Sequence, residues 1–281
     1  MFTLATTSKK IGIFFILTIL STISASKLHH NGIPSQALLR ICQLTGLKST
    51  NNKKFTTLAA INNAAQQDWL RKPGIERWEI SPLHEDKRDA LLIELAACGF
   101  IGATKPEQTN FDYIFITSGL QTSTKKRITY VADLIDKKLI FYQNPLVLLA
   151  TARPTIISQE NMNLGSTETE SMLTLYQKSP LAPHPYQLTT LPMKQNATGK
   201  LVRAVVDDLI MAWVNEHKQI TQQTHVLVVS DQPFVTRDIT LFTLLLPRNF
   251  VIHQANPSAD ENISISAYLS TQSENVLFPA K

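Results

Sequence analysis

Only two cysteines occur in the 281 residues. Neither Cys42 nor Cys98 has a Cys or His neighbour at the short spacing a zinc site needs, which excludes a finger or ribbon. Beyond residue 25 no uninterrupted apolar run is long enough to cross a bilayer, so the mature chain is expected to be soluble, with no stable membrane span. The formal charge is only +5, and the basic residues are scattered rather than striped, so no electrostatic footprint for nucleic acid is present. Internal repeats and low-complexity tracts are missing as well. A hydrophobic share of 43% with 17% charged residues fits one sizeable α/β domain, or such a domain with an N-terminal helical extension, and excludes a disordered or fibrous chain.

The first residues follow a different rule. Lys9 and Lys10 precede an apolar run from Ile11 to Ile23, and Ser24-Ala25-Ser26 supplies small residues, the pattern of a secretory signal cleaved after Ala25. As a helix that run rises only about 20 Å, short of the roughly 30 Å hydrocarbon core, which argues against an uncleaved membrane anchor. Losing two lysines and no acid lowers the charge of +5 to +3. The expected location is periplasmic or secreted. There one disulfide between Cys42 and Cys98 is permitted, and two buried free thiols are the other reading.

From residue 26 to 110 the periodicity is helical. Ala37, Leu38 and Ile41 mark one helix, Leu58, Ile61, Ala65 and Trp69 a second, and Leu91, Leu95 and Cys98 a third. From 111 to 281 apolar runs alternate with helical patterns. Phe111–Thr117, Pro145–Ala150, Tyr186–Leu191, His225–Val229 and Phe250–Gln254 read as strands. Helices are expected from about Lys125 to Asp136, after Ser166, over Leu201–Val214, through Leu241–Leu245 and from Glu261 to about Val276. This alternation implies an α/β, Rossmann-like fold: a mainly parallel sheet of about five strands with helices on both faces.

In such a sheet the loops after the strands converge on one edge, where ligands bind. They contain Ser118 and Gly119; Thr151 and Arg153, with Glu168 and Glu170 beyond; Lys194, Asn196, Thr198 and Lys200; Ser230, Asp231, Gln232 and Arg237; and Asn256. Helix starts offer unpaired N–H groups, and with Arg153, Lys200 and Arg237 they suit a phosphorylated or otherwise anionic small ligand. Glu168 and Glu170 are the candidate acid/base groups. Ordinary helix capping explains an early-helix Glu equally well, and a single Arg or Lys is commonly a solvated charge. No cofactor is identifiable. Ala197-Thr-Gly-Lys200 is no P-loop, because Lys194 and Leu201 occupy the positions of its first glycine and its Ser/Thr. Ser230 has no Gly-x-Ser-x-Gly elbow around it.

Several of these segments together resemble a known family. They are Tyr113-Ile-Phe-Ile-Thr-Ser-Gly119, the helix bearing Arg127, Ala132 and Leu134, Leu146–Arg153, Thr167-Glu-Thr-Glu-Ser-Met172, and Val226–Ser230 through Arg237. In this order they are similar to the SanA/ElyC/YdcF-like domain-of-unknown-function family of bacterial envelope proteins. The resemblance runs from Asp112 to about Ser273, a little over half of the chain. It implies a Rossmann-like fold and an envelope-associated function. Two departures stand out. Asn196-Ala-Thr-Gly-Lys200 replaces the family's Asn-Thr-x-Glu-Asn, and Phe234 stands where the family often has His. They motivate an alternative: a secreted, non-catalytic binding or effector-like protein that keeps the fold as a scaffold and meets a protein partner through its N-terminal helical region.

Overall fold

The computed structural model describes residues 27–31, 33–49, 54–70, 72, 79–155, 164–195, 199, 201–202, 204–259 and 263–275. The expected signal sequence lies outside them, as do Asn196, Thr198 and Lys200. Among the described residues no helix is long and apolar enough to cross a membrane. By its contacts the chain forms two compact units: residues 1–101 with 262–281, and residues 102–261.

The second unit is a five-stranded parallel sheet made of β1 (Tyr113–Thr117), β2 (Leu146–Thr151), β3 (Tyr186–Leu191), β4 (Thr224–Val229) and β5 (Phe250–Ala255). The order across it is β5-β4-β1-β2-β3. The three central strands are built mostly of Val, Ile, Leu and Phe because both of their faces are covered. On one face Ile114, Ile116, Leu148, Leu227 and Val229 pack against Ile128, Val131, Met172 and Leu175. Those partners belong to α4 (Gln121–Asp136) and α5 (Glu168–Gln177). On the other, Phe115, Val147, Leu149, Val226 and Val228 pack against Leu209, Ile210, Trp213 and Phe242. These lie on α6 (Val206–Glu216) and α7 (Val235–Leu245). Trp213 and Phe242 meet the Phe115 ring edge-on at 4.8 and 5.0 Å, a preferred aromatic geometry. The expected α/β, Rossmann-like sheet with helices on both faces is therefore present.

Three helix boundaries differ from the sequence reading. α4 begins at Gln121, not Lys125; its polar first turn has the composition of a loop, yet Gln121 and Thr124 are buried. α6 begins at Val206, not near Leu201, because Leu201–Val202 pairs antiparallel with Lys194–Gln195. The Asp208 carboxylate then accepts the Val205 N–H at 2.9 Å and starts the helix. The last helix, α8, spans Ile265–Asn275.

α8 also belongs elsewhere than expected. It clusters with the first unit, whose helices are α1 (Gln36–Thr45), α2 (Leu58–Asp68) and α3 (Arg88–Ala97). Glu85 accepts the Ile265 N–H at 2.7 Å, Ser266 Oγ donates to the Ser81 carbonyl at 2.9 Å, and the Tyr268 hydroxyl donates to the Phe100 carbonyl. Cys42 and Cys98 are free and buried in this unit. Burial pushes both thiols up to about 12.

Candidate functional site

β1 and β4 are neighbours although β2 and β3 lie between them in the chain, so the strand order reverses between them. At such a reversal the following loops run to opposite faces and leave a crevice at the carboxyl ends. Here the loops are Ser118-Gly119 and Ser230-Asp231-Gln232.

Arg127, on α4, joins the two loops from within. Its side chain is 3% exposed. Nη1 donates to the Thr117 and Ser118 carbonyls at 2.7 and 2.8 Å and to Thr117 Oγ1 at 2.7 Å. Nε donates to Asp231 Oδ1 at 2.9 Å, and Nη2 donates to the same oxygen. Such a fork fits a planar guanidinium and not an ammonium. A second network lies beside it. Asp238, fully buried on α7, accepts from Ser230 Oγ at 2.6 Å and Thr117 Oγ1 at 3.4 Å. Its other oxygen accepts from Arg237 Nε and Nη2 at 3.0 and 2.8 Å. Arg237 also lies over the Phe234 ring, 5.2 Å from its centre, within cation–π range.

The third cluster follows β2. Arg153 Nε and Nη2 donate to Glu168 Oε1 at 3.0 and 2.7 Å, and Thr151 Oγ1 donates to Oε2. Glu168 is 6% exposed, so both of its oxygens are engaged inside the protein and its direct effect is to fix Arg153. Glu170 does something else. One of its oxygens accepts the Ser166 N–H at 2.7 Å and the Ser166 hydroxyl at 2.6 Å. Those bonds, the hydroxyl's first, hold its carboxyl below the usual carboxylate range. Thr167 Oγ1 accepts the Glu170 N–H at 3.2 Å, so this segment is a helix cap as well as the approach to Glu168.

Each arginine of the crevice thus faces a carboxylate: Arg127 with Asp231, Arg237 with Asp238, Arg153 with Glu168. Arg153 and Arg237, expected to face an anion, are paired with and oriented by carboxylates. Arg237 stays the most accessible of the three, at 36%. The remaining positive potential comes from backbone. Neither α4, which follows β1, nor α7, which follows β4, has a side-chain cap. α1, α2 and α5 are capped by Ser35, Thr57 and Thr167, whereas α3 also has no side-chain cap.

Of the residues singled out in the sequence, Ser118, Gly119, Ser230, Asp231, Gln232 and Arg237 come together at the reversal, and Arg153, Glu168 and Glu170 follow β2. Asn196 and Lys200 lie outside the described residues. Ser230 is fully buried and donates to Asp238, so it does not have the exposed hydroxyl of a nucleophile beside a base. His184 instead meets the Tyr142 hydroxyl at 2.5 Å, and His225 and His253 meet each other. Among the described residues no three of His, Cys, Asp and Glu are grouped to hold a metal.

Thr117, Arg127 and Asp238 were not picked out for the site. Arg127 carried one signal: with Thr124, Val131 and Leu134 it falls on the buried stripe of α4, and a charge on an apolar stripe requires a partner. No protein-family model matches the chain, and no curated protein matches it.

Proposed function

We propose that the chain is an exported α/β protein of the SanA/ElyC/YdcF-like kind that binds, or acts on, a phosphorylated or otherwise anionic envelope metabolite at the carboxyl edge of its sheet. The observation carrying this reading is that the two helix starts flanking the strand-order reversal lack side-chain caps. The positive ends of their helix dipoles favour an anion there. Arg237 and Arg153 add directional donors whose carboxylate partners hold them in place. Because the fixed charges of the three pairs cancel, selectivity is expected from hydrogen-bond geometry more than from net charge. Glu168 serves binding by orienting Arg153.

The test is thermal unfolding with inorganic phosphate, nucleotides, sugar phosphates and polyprenyl phosphates. A ligand at about 100 times its Kd adds roughly 2.7 kcal/mol and raises Tm by several degrees. Arg237→Ala and Arg153→Ala are each expected to shrink that ligand-induced rise, whatever they do to the unliganded Tm. No rise with any anion, or an undiminished rise in both variants, removes the site.

A second reading is favoured by the first unit, where Ile93, Ile33 and Leu83 are 69%, 63% and 56% exposed. Exposed aliphatics suit contact with a protein partner. On that reading Ile93→Asp reduces recovery of the partner in pull-downs; unchanged recovery argues against the surface.

A further inference from the structure

We propose that His225 and His253 form an acid-sensitive clasp that holds the edge strand β5 to β4 and loosens when both rings carry a proton. The two strands run parallel, with His225 opposite Val251 and Leu227 opposite His253. The imidazoles are near-parallel, at 24° with centres 5.5 Å apart, and His225 Nδ1 lies 3.3 Å from His253 Nε2. Phe111 meets the His253 ring edge-on at 5.5 Å. Among the described residues β5 pairs with β4 alone, so this contact lies on the one seam holding it in the sheet.

A bond between two ring nitrogens needs a proton on one and a lone pair on the other. Neutral rings satisfy that. One added proton leaves it intact, because it can sit on the outer nitrogen of the donor ring. A second turns both facing nitrogens into N–H groups, and the bond becomes a repulsion between like charges. Two carboxylates bear on the pair. Glu107 favours the charged form of His253, while Asp112 Oδ2 accepts the His225 backbone N–H at 2.6 Å.

Burial first, then the neighbouring His225, sets the His253 ring below the usual imidazole range, against the smaller pull of Glu107. A group with a lowered folded value contributes its stability above its unfolded value, about 6.5 for His, and loses it as the pH falls below that. The clasp is thus closed at neutral pH and opposed in acid. Three residues beyond His253, Asn256 follows β5 and exchanges backbone hydrogen bonds with Thr104 at 2.9 and 3.1 Å.

Hydrogen exchange of the full chain at pH 7.5 and 5.0, corrected for intrinsic rates, tests this. Peptides covering 250–255 are expected to lose protection several-fold in acid while those covering β2 do not. His253→Gln and His225→Gln, neutral at both pH values, are each expected to remove the difference. Titration of the ring nitrogens in the unmodified protein gives a readout needing no variant: the pair is expected to take up its two protons in two separate steps. Equal β5 protection at both pH values, a pH effect that persists in the variants, or two independent titrations at the ordinary imidazole value would overturn the proposal.

Discussion

Position, more than charge, decides what an ion pair is worth in this chain. Arg127 and Asp231 are 3% and 7% exposed, whereas Lys137 and Asp133 are 59% and 45% exposed. Replacing Arg127 with Met leaves the Asp231 carboxylate without its guanidinium and strips a donor from the Thr117 and Ser118 carbonyls. Removing one partner of a buried pair costs about 3–5 kcal/mol. Lys137→Ala should change stability by less than about 1 kcal/mol, because solvent screens that pair. Urea unfolding of the two variants checks the contrast. Arg127→Lys keeps the charge but cannot reach both loops with one planar fork, so it should fall nearer to Met than to wild type. A loss under 1 kcal/mol for Arg127→Met would mean that the crevice loops are held by something else.

At the scale of the element, the approach to α5 makes a sharper prediction than its interior. A Cβ on Gly165 would stand 2.6 Å from the Glu170 Cβ and 2.9 Å from the Ser171 backbone nitrogen. Backbone cannot yield as a flexible side chain does, so Gly165→Ala should destabilise by about 1–3 kcal/mol. Thr167→Ala, which removes the cap, should cost about 1 kcal/mol. Both effects are read as shifts in the denaturant midpoint at unchanged slope. That helix start was visible in Ser166-Thr-Glu-Thr-Glu170 because helix-start signals are local. The central strands were visible for a related reason: burial on both faces makes Ile114–Ile116, Leu146–Ala150 and Val226–Val229 apolar throughout. What sequence could not show was non-local. Arg127 and Asp231 are 104 positions apart, and no periodicity links them. The early start of α4 was hidden by buried Gln121 and Thr124, whose polarity imitates a loop. The apolar residues from 201 to 214 fitted one helical stripe, although the first two of them form a hairpin strand.

For the whole molecule, the division of the chain is itself testable. Both apolar layers of the sheet, from Phe111 to Ala255, are built inside residues 102–261. This segment expressed alone should therefore fold and unfold in one cooperative transition. The other unit is discontinuous and depends on the end of the chain. Ile265, Tyr268 and Leu269 are 1%, 2% and 2% exposed, and each buried side chain of this kind contributes about 1.5–3 kcal/mol. Their sum approaches the whole stability of a typical domain, about 5–15 kcal/mol. Ending the chain at residue 261 should accordingly unfold residues 27–101 and leave the sheet intact. Limited proteolysis reads this directly, with rapid cleavage before residue 102 and persistence of a fragment covering 102–261. Equal resistance of the full and shortened chains would show that α1, α2 and α3 hold together without α8.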